Sequence, residues 1–457
     1  MRCVLVPSLV LVIMAPAQAQ WWVDAGIPVN QAHGVTELYE DTANGTLYCL
    51  GHLEQVDIPG YQTFHFCTYR DGDWAVSDPF NHIVYTAINY RDTLIVGGVF
   101  SNVNGLPIEH IAAFYAGEWH AYGSIDGTVR SLRILNGDLY ALGYFDTADG
   151  VWCGGVAKRV GNSWVNIGNL AADQSAVLDA LFYDGKLVIA GTITITGETY
   201  RHVLQFDGEE WVPLGPGILG NIGGASSLAI YQGDLYVGGV IDINSGNAGH
   251  AIMRWDGEQF HPVGTGVQDL YGGYNYPAAI HELKVKDGLL FACGGFEYAG
   301  NVPANFVATW DGDRWCGVGG TLDPQLGAIG MGFFGDTLFV GSGNVADGQA
   351  VNKLVRFIGE DFRDTCSVSM GPFVGIAQPR SSPAVELVAL GHGQYRFDGI
   401  AVGSRAELNV YNGMGQLVRV VPGVEASEPF SLSGLHAGTY VLELMGIRAK
   451  LAIISGP

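Results

Sequence analysis

The chain has 457 residues, room for two or three domains, and sets 45 acidic side chains against 22 basic ones for a formal charge of −23. That balance argues against a nucleic-acid partner, whose phosphates need a basic footprint, and disfavours an anionic membrane surface. Only 15% of residues are charged and 67 are glycine, which suits a turn-rich β protein with buried strands.

Residues 1–19 open with Arg2, run apolar over residues 4–14 and end in Ala17-Gln18-Ala19. This is the layout of a cleavable secretory signal, with the cut expected between Ala19 and Gln20. Its apolar run of roughly a dozen residues is short for a membrane span, and Cys3 stands too early for a lipoprotein box. No other segment could span a bilayer, so no membrane span is expected once the signal is removed. The expected destination is the cell surface or the medium.

A two-part pattern then recurs. One half reads like Gly233-Asp234-Leu235-Tyr236-Val237-Gly238-Gly239, and the other like Trp255-Asp256-Gly257-Glu258-Gln259-Phe260. The leading leucine stands at Leu47, Leu94, Leu139, Leu187, Leu235, Leu290 and Leu338. The closing aromatic stands at Trp74, Trp119, Trp164, Trp211, Phe260, Trp315 and Phe362. Successive copies lie 45–55 residues apart, and two anchors keeping one beat mark a repeat architecture.

Each repeat holds four short apolar runs, in residues 128–168 around Leu132, Leu139, Val156 and Trp164. Asn136-Gly137 separates the first two and is a tight hairpin signal; Gly161-Asn162, or Asp-Gly in other copies, separates the last two. Four antiparallel strands at this period fit a β-propeller blade, and the mature chain has no sustained helical period. The fold expected is all-β: a seven-bladed β-propeller over residues 20–366. Trp22-Val23-Asp24-Ala25-Gly26 is an eighth copy of the fourth strand, so residues 21–29 are expected to complete or flank the seventh blade. Residues 362–366, where Cys366 replaces the usual glycine, are then the displaced or outer strand.

The Leu-Tyr-Val-Gly-Gly half followed by Trp-Asp-Gly-x-x-Phe/Trp resembles the kelch-like, galactose-oxidase-like propeller repeats of secreted bacterial proteins, over about residues 30–366. The resemblance speaks for fold and hardly for activity, since propellers carry many unrelated functions. No sign of a copper or tyrosyl-radical site accompanies it.

In a four-stranded meander the long loops between strands two and three share one face with the blade-to-blade loops. The short turns share the other. A ligand site is expected on the long-loop face. The 55-residue step is partly filled by residues 265–279, with Asp269, Tyr271, Tyr274 and Tyr276, rings and a carboxylate that could stack on and hydrogen-bond a sugar. Covering a propeller rim is their plainer role. His110, His202 and His250 recur before the third strand, where other copies have Asn305 and Asn352, and read as structural hydrogen-bonders. Asp146, Asp149 and Gly150 look like a piece of a calcium loop without its full spacing. No metal, cofactor or catalytic motif is expected from the pattern. Six cysteines follow the signal. Cys49 and Cys67, in neighbouring strands, are the candidates for a disulfide; Cys293 and Cys316, with a strand between them, are a weaker pair.

The chain changes character across a linker at 367–382. Residues 383–457 contain Val410-Tyr411-Asn412-Gly413-Met414-Gly415-Gln416-Leu417-Val418 and, later, Gly438-Thr439-Tyr440-Val441. Alternation at Leu408 and Val410, and at Tyr440, Leu442 and Leu444, predicts half-buried strands. These motifs resemble the C-terminal sorting domain (type A) of type IX secretion cargo. That resemblance implies a small Ig-like β-sandwich, a Bacteroidetes-type host, export across the outer membrane and the type IX machinery as partner. The function expected is an exported binding scaffold for glycan or protein. The rivals are a secreted polysaccharide hydrolase or lyase with its site on the long-loop face, and a purely structural component.

Overall fold

The computed structural model describes residues 20–28, 31–55, 62–76, 79–168, 170, 176–193, 201–220, 223–268, 278–322, 328, 330–341 and 343–367. Further on it describes residues 386–391, 394–398, 405–412, 417–425, 428–433, 435, 438–444 and 447–453. The chain divides after Phe373 into two compact units.

In the first unit the seven repeats fold as seven successive antiparallel sheets, the blades of a β-propeller. The first strands are Gln31–Asp41, Val84–Tyr90, Thr128–Leu135, Ala176–Tyr183, Gly224–Tyr231, Ala279–Lys286 and Met331–Phe334. Neighbouring first strands pack on one another and the first blade meets the last, so these strands line a central channel. Outward from each follow two more strands and a short fourth that carries the closing aromatic, a tryptophan except for Phe260 in blade 5; in blade 3 these are Asp138–Tyr144, Val156–Val160 and Ser163–Asn166.

Local chemistry explains the hairpins. Asn136 and Gly137 have φ of 52° and 83°, positive at both central positions, which makes a two-residue turn of the hairpin type. Asp207-Gly208, Asp256-Gly257 and Asp311-Gly312 work differently. Their aspartates accept the N–H groups two and three residues on, at 2.8–3.0 Å, so these are longer Asx turns.

The ring closes through the N-terminus. Trp22–Asp24 pairs antiparallel with Leu354–Phe357 as the fourth strand of blade 7, in the register Trp22 opposite Phe357. Blade 7 approaches blade 1 so closely that a Cβ on Gly332 would collide with Leu38. The fourth-strand tryptophans bind the blades laterally. In five blades the indole N–H donates to a carbonyl at the end of the previous blade's fourth strand: Trp74 to Ala25, Trp164 to Tyr122, Trp211 to Ile167, Trp315 to Val263 and Trp22 to Gly319, all at 2.8–2.9 Å. Trp22 thus serves blade 7 as Trp164 serves blade 3.

After blade 7 the chain turns back. Thr365–Cys366 adds to blade 6 as a fifth strand beside Trp315–Gly317, and Cys366, opposite Cys316, is joined to it in a disulfide. The sequence offered Cys316 a different partner, Cys293, which stays a buried thiol. Cys49 and Cys67 lie directly opposite each other between strands two and three of blade 1, both buried and both thiols. Burial pushes the Cys49 thiol well up, with Cys67 adding to it.

The second unit is also all-β. One sheet orders Glu386–Gly391, Gln394–Asp398 and Phe430–Ser431; the other places Arg405–Asn412 between Leu417–Glu425 and Gly438–Leu444, with Ile447–Ile453 at its edge. Leu408, Val410, Val424, Phe430, Leu432 and Leu442 are buried. The described parts of the Val410–Val418 motif, residues 410–412 and 417–418, lie on two strands paired antiparallel, with Val410 opposite Arg419 and Tyr411 opposite Leu417.

Candidate functional site at the long-loop end of the channel

In six blades the first strand carries a β-bulge, at Thr36, Tyr85, Arg130, Leu178, Ser226 and His281. A bulge inserts one residue and re-aims its neighbours. The next residue in each is polar: Glu37, Thr86, Ser131, Asp179, Ser227 and Glu282. Most of these reach across to the following blade. Glu37 accepts from Ala87 N (3.3 Å), Thr86 from Leu132 N (3.1 Å), Asp179 from Leu228 N (2.8 Å), Ser227 from Leu283 N (3.1 Å) and Glu282 from Met331 N (2.8 Å). Ser131 breaks the series, because Ala180 N turns instead to the Asp179 carboxylate at 2.9 Å. Its hydroxyl is buried without a partner. Blades 3 and 4 are joined there by an ion pair, Arg133 Nε to Asp179 Oδ1 at 2.8 Å.

The first strands run from the long-loop face to the hairpin face, so the bulges stand at the long-loop end of the channel. There Thr36, Tyr85, Arg130, Leu178, Ser226 and His281 rim a cavity of about 410 Å³ whose floor holds Glu37, Ser131, Arg133, Ser227 and Glu282. Arg130 lies over the Tyr85 ring, 4.0 Å from its centroid. His281 Nδ1 meets the Ala328 carbonyl at 3.0 Å, so it carries the ring proton and Nε2 is left as an acceptor while the ring is neutral. Burial holds His281 below its ordinary value. The hairpin end opens as a cavity of about 540 Å³ with Tyr39, Glu40, Lys286 and Phe333, and shares Glu37, Arg133, Ser227 and Glu282 with the first. Between the two ends Lys284 bonds Glu282 at 3.0 Å and the Met331 carbonyl at 2.6 Å.

Burial pushes the Glu37 carboxyl above its ordinary value, against the pull of Arg133 and Lys284.

The other residues singled out in the sequence serve the scaffold or fall outside what is described. Asp269, Tyr271, Tyr274 and Tyr276 lie outside the described residues, as does Ala19. Gln20 Nε2 donates to the Trp22 carbonyl at 3.1 Å. Asp149 accepts Ser124 N (2.8 Å) and Trp164 N (2.7 Å), an Asp-Gly loop pinned to the fourth strand rather than a calcium ligand. Asp347 repeats this in blade 7, taking Thr321 N (2.7 Å), Trp21 N (2.7 Å) and Trp22 N (2.8 Å). No metal-binding group of His, Cys, Asp or Glu occurs among the described residues. His110 and His202 hold φ of 62° and 59°, and their carbonyls accept Gly98 N and Gly191 N. His250, Asn305 and Asn352 sit one place earlier than the equivalent position, which Ala251, Phe306 and Lys353 occupy, so the sequence alignment of these residues is off by one. The rim residues were missed although a signal existed: apolar, any, polar, apolar, as in Val129-Arg130-Ser131-Leu132 and Ile280-His281-Glu282-Leu283.

No protein-family model matches this sequence, and no curated protein does. Similar solved structures include PorZ, an essential bacterial surface component of the type-IX secretion system of Porphyromonas gingivalis, at 12% identity, 92% of this chain, 59% of that chain and a TM-score of 0.43. They include the WD40 β-propeller domain of Doa1, at 12% identity, 74% and 97% coverage and a TM-score of 0.41. The β-propeller domain of the Trilobed protease from Pyrococcus furiosus gives 9% identity, 73% and 100% coverage and a TM-score of 0.42. This chain spans 59% of the length of PorZ. Nothing of these proteins' activities is carried over at such identities. Among the described residues, no helix is long and apolar enough to cross a membrane.

Proposed function

We propose that this protein is an exported β-propeller that acts as a binding scaffold for a glycan or a protein, with its site at the long-loop end of the channel. The observation that carries this reading is how the channel carboxylates are used. A glycoside hydrolase needs two carboxyl groups free to act as acid and as base or nucleophile. Here Asp179 is committed to two backbone N–H groups and Arg133, and Glu282 to Met331 N and Lys284. Both hold blades together. Export is supported by the signal-like residues 1–19 and by a disulfide, which an oxidising route permits. We further propose that the C-terminal unit is an Ig-like type IX sorting domain. Its support is the sequence motif itself, together with the pairing of its described ends on neighbouring strands of a small two-sheet unit.

The enzyme reading has one observation in its favour. A carboxyl whose proton is held by burial in a cavity, as in Glu37, is suited to general-acid work. The two readings separate when the mature chain, residues 20–457, is incubated with a panel of polysaccharides. Retention without new reducing ends supports the scaffold. New reducing ends that vanish in Glu37→Gln establish the enzyme.

A further inference from the structure

We propose that the long-loop end of the channel binds a sugar bearing a carboxylate, a uronic-acid residue, with Arg130 as its counter-ion. This rests on the binding reading above and names the ligand class.

The first argument is charge. Around the long-loop cavity Arg133 is tied to Asp179, and Glu282 is tied to Lys284. Arg130 has no carboxylate partner among the described residues. Its guanidinium covers the Tyr85 ring, an arrangement that fixes the group while leaving its in-plane N–H donors for a planar anion. A carboxylate can take two of those donors at once. The remaining charge, Glu37, is a carboxyl that burial makes easier to neutralise. The chain's overall charge of −23 opposes anions at a distance, but at physiological ionic strength that repulsion is screened beyond about 8 Å.

The second argument is an orphan. Ser131 is 4% exposed, lines this cavity, and its hydroxyl has no hydrogen-bond partner. Buried hydroxyls are normally satisfied, and one left open towards a cavity is a place for a ligand's hydroxyl. The interblade series explains why it is available: Asp179 has taken the N–H that Ser131 would otherwise bind.

The third argument is the mixture of groups. A sugar offers hydroxyls that both donate and accept. The rim supplies the Ser226 and Thr36 hydroxyls and the Nε2 acceptor of His281, with the Tyr85 and Leu178 faces between them. The cavity of about 410 Å³ sits at the small end of ligand pockets, roughly 300–1,000 Å³. It has room for a sugar residue and none for a folded partner.

The test uses the mature chain, residues 20–457, in calorimetric titrations with a galacturonic-acid trisaccharide, its methyl ester and the neutral galactose trisaccharide. The acid should bind. Esterification, and separately Arg130→Gln, should each weaken it at least tenfold, with Arg130→Lys in between. Ser131→Ala should weaken it several-fold. The melting temperature of each variant checks that it is folded. Equal binding of acid and ester, or acid binding indifferent to Arg130→Gln, overturns the proposal and leaves the scaffold reading standing. Competition by acetate as strong as by the sugar acid reassigns the site to small carboxylates and overturns the sugar. Binding of no glycan by the folded chain overturns this proposal. The scaffold reading then depends on a protein ligand, tested by the same chain against candidate partners.

Discussion

Cutting the Cys316–Cys366 bridge should loosen the seventh blade first. The bridge spans 50 residues, a loop that contains the three strands blade 7 supplies for itself, Met331–Phe334, Thr337–Gly341 and Leu354–Phe357. Closing a loop of that length removes about 4 kcal/mol of chain entropy from the unfolded state. The returning segment has further holds that survive reduction. The Phe362 ring lies 5.0 Å from both Phe291, edge to face, and Phe357, tilted; its carbonyl accepts Thr309 Oγ1 at 3.1 Å, and Asp364 N donates to the Gly317 carbonyl at 3.0 Å. The fold should therefore persist with a weakened seam. Cys366→Ser should lower the free energy of unfolding by about 2–4 kcal/mol. Urea melts of the oxidised protein would measure this, and reductant should bring the wild type to the same midpoint. Limited proteolysis of the reduced protein should cut within residues 358–367 before any other described segment. A variant within about 1 kcal/mol of wild type, or first cleavage in another blade, would refute the reasoning.

Three other outcomes are expected. Asp347→Ala leaves three backbone N–H groups unpaired and Asp149→Ala leaves two. Bonds to a charged group count for about 1.5–3 kcal/mol each, so Asp347→Ala should be the more costly in paired urea melts, and the reverse order would contradict the latch. Burial holds the Glu37 proton more tightly in the folded than in the unfolded chain, so its contribution is fullest in acid and is lost as pH rises from 4.5 through the raised value. Glu37→Gln should flatten that decline and raise the melting temperature at pH 7; a lower melting temperature than wild type would count against it. Removing residues 374–457 in a host with type IX secretion should trap the propeller in the periplasm, and fractionation that still finds it outside would dismiss the sorting role.

The sequence made the scaffold legible because its signals are local or periodic. Asn136-Gly137 marks its hairpin wherever the rest of the chain lies, and Trp22 could be matched to Trp164 because both do the same work. The disulfide was not legible: Cys316 meets Cys366 only because the chain doubles back from blade 7 onto blade 6, a long-range event with no local mark. The site was harder still. Alternation assigns a strand residue to one side or the other, and a bulge at Arg130 or His281 shifts that parity by one residue. Ser131 shows the limit. Its neighbours Thr86 and Ser227 look the same in sequence and are satisfied by the next blade, whereas Ser131 is left open by a carboxylate 48 residues away, Asp179.

The most direct test of the central claim is hydrogen exchange on the mature chain with and without whichever polysaccharide it retains. The account predicts added protection at the long-loop starts of the first strands, around Thr36, Tyr85, Arg130, Ser226 and His281, with the outer strands unchanged. Protection confined to the outer fourth strands, or to the hairpin end around Tyr39 and Lys286, would contradict it.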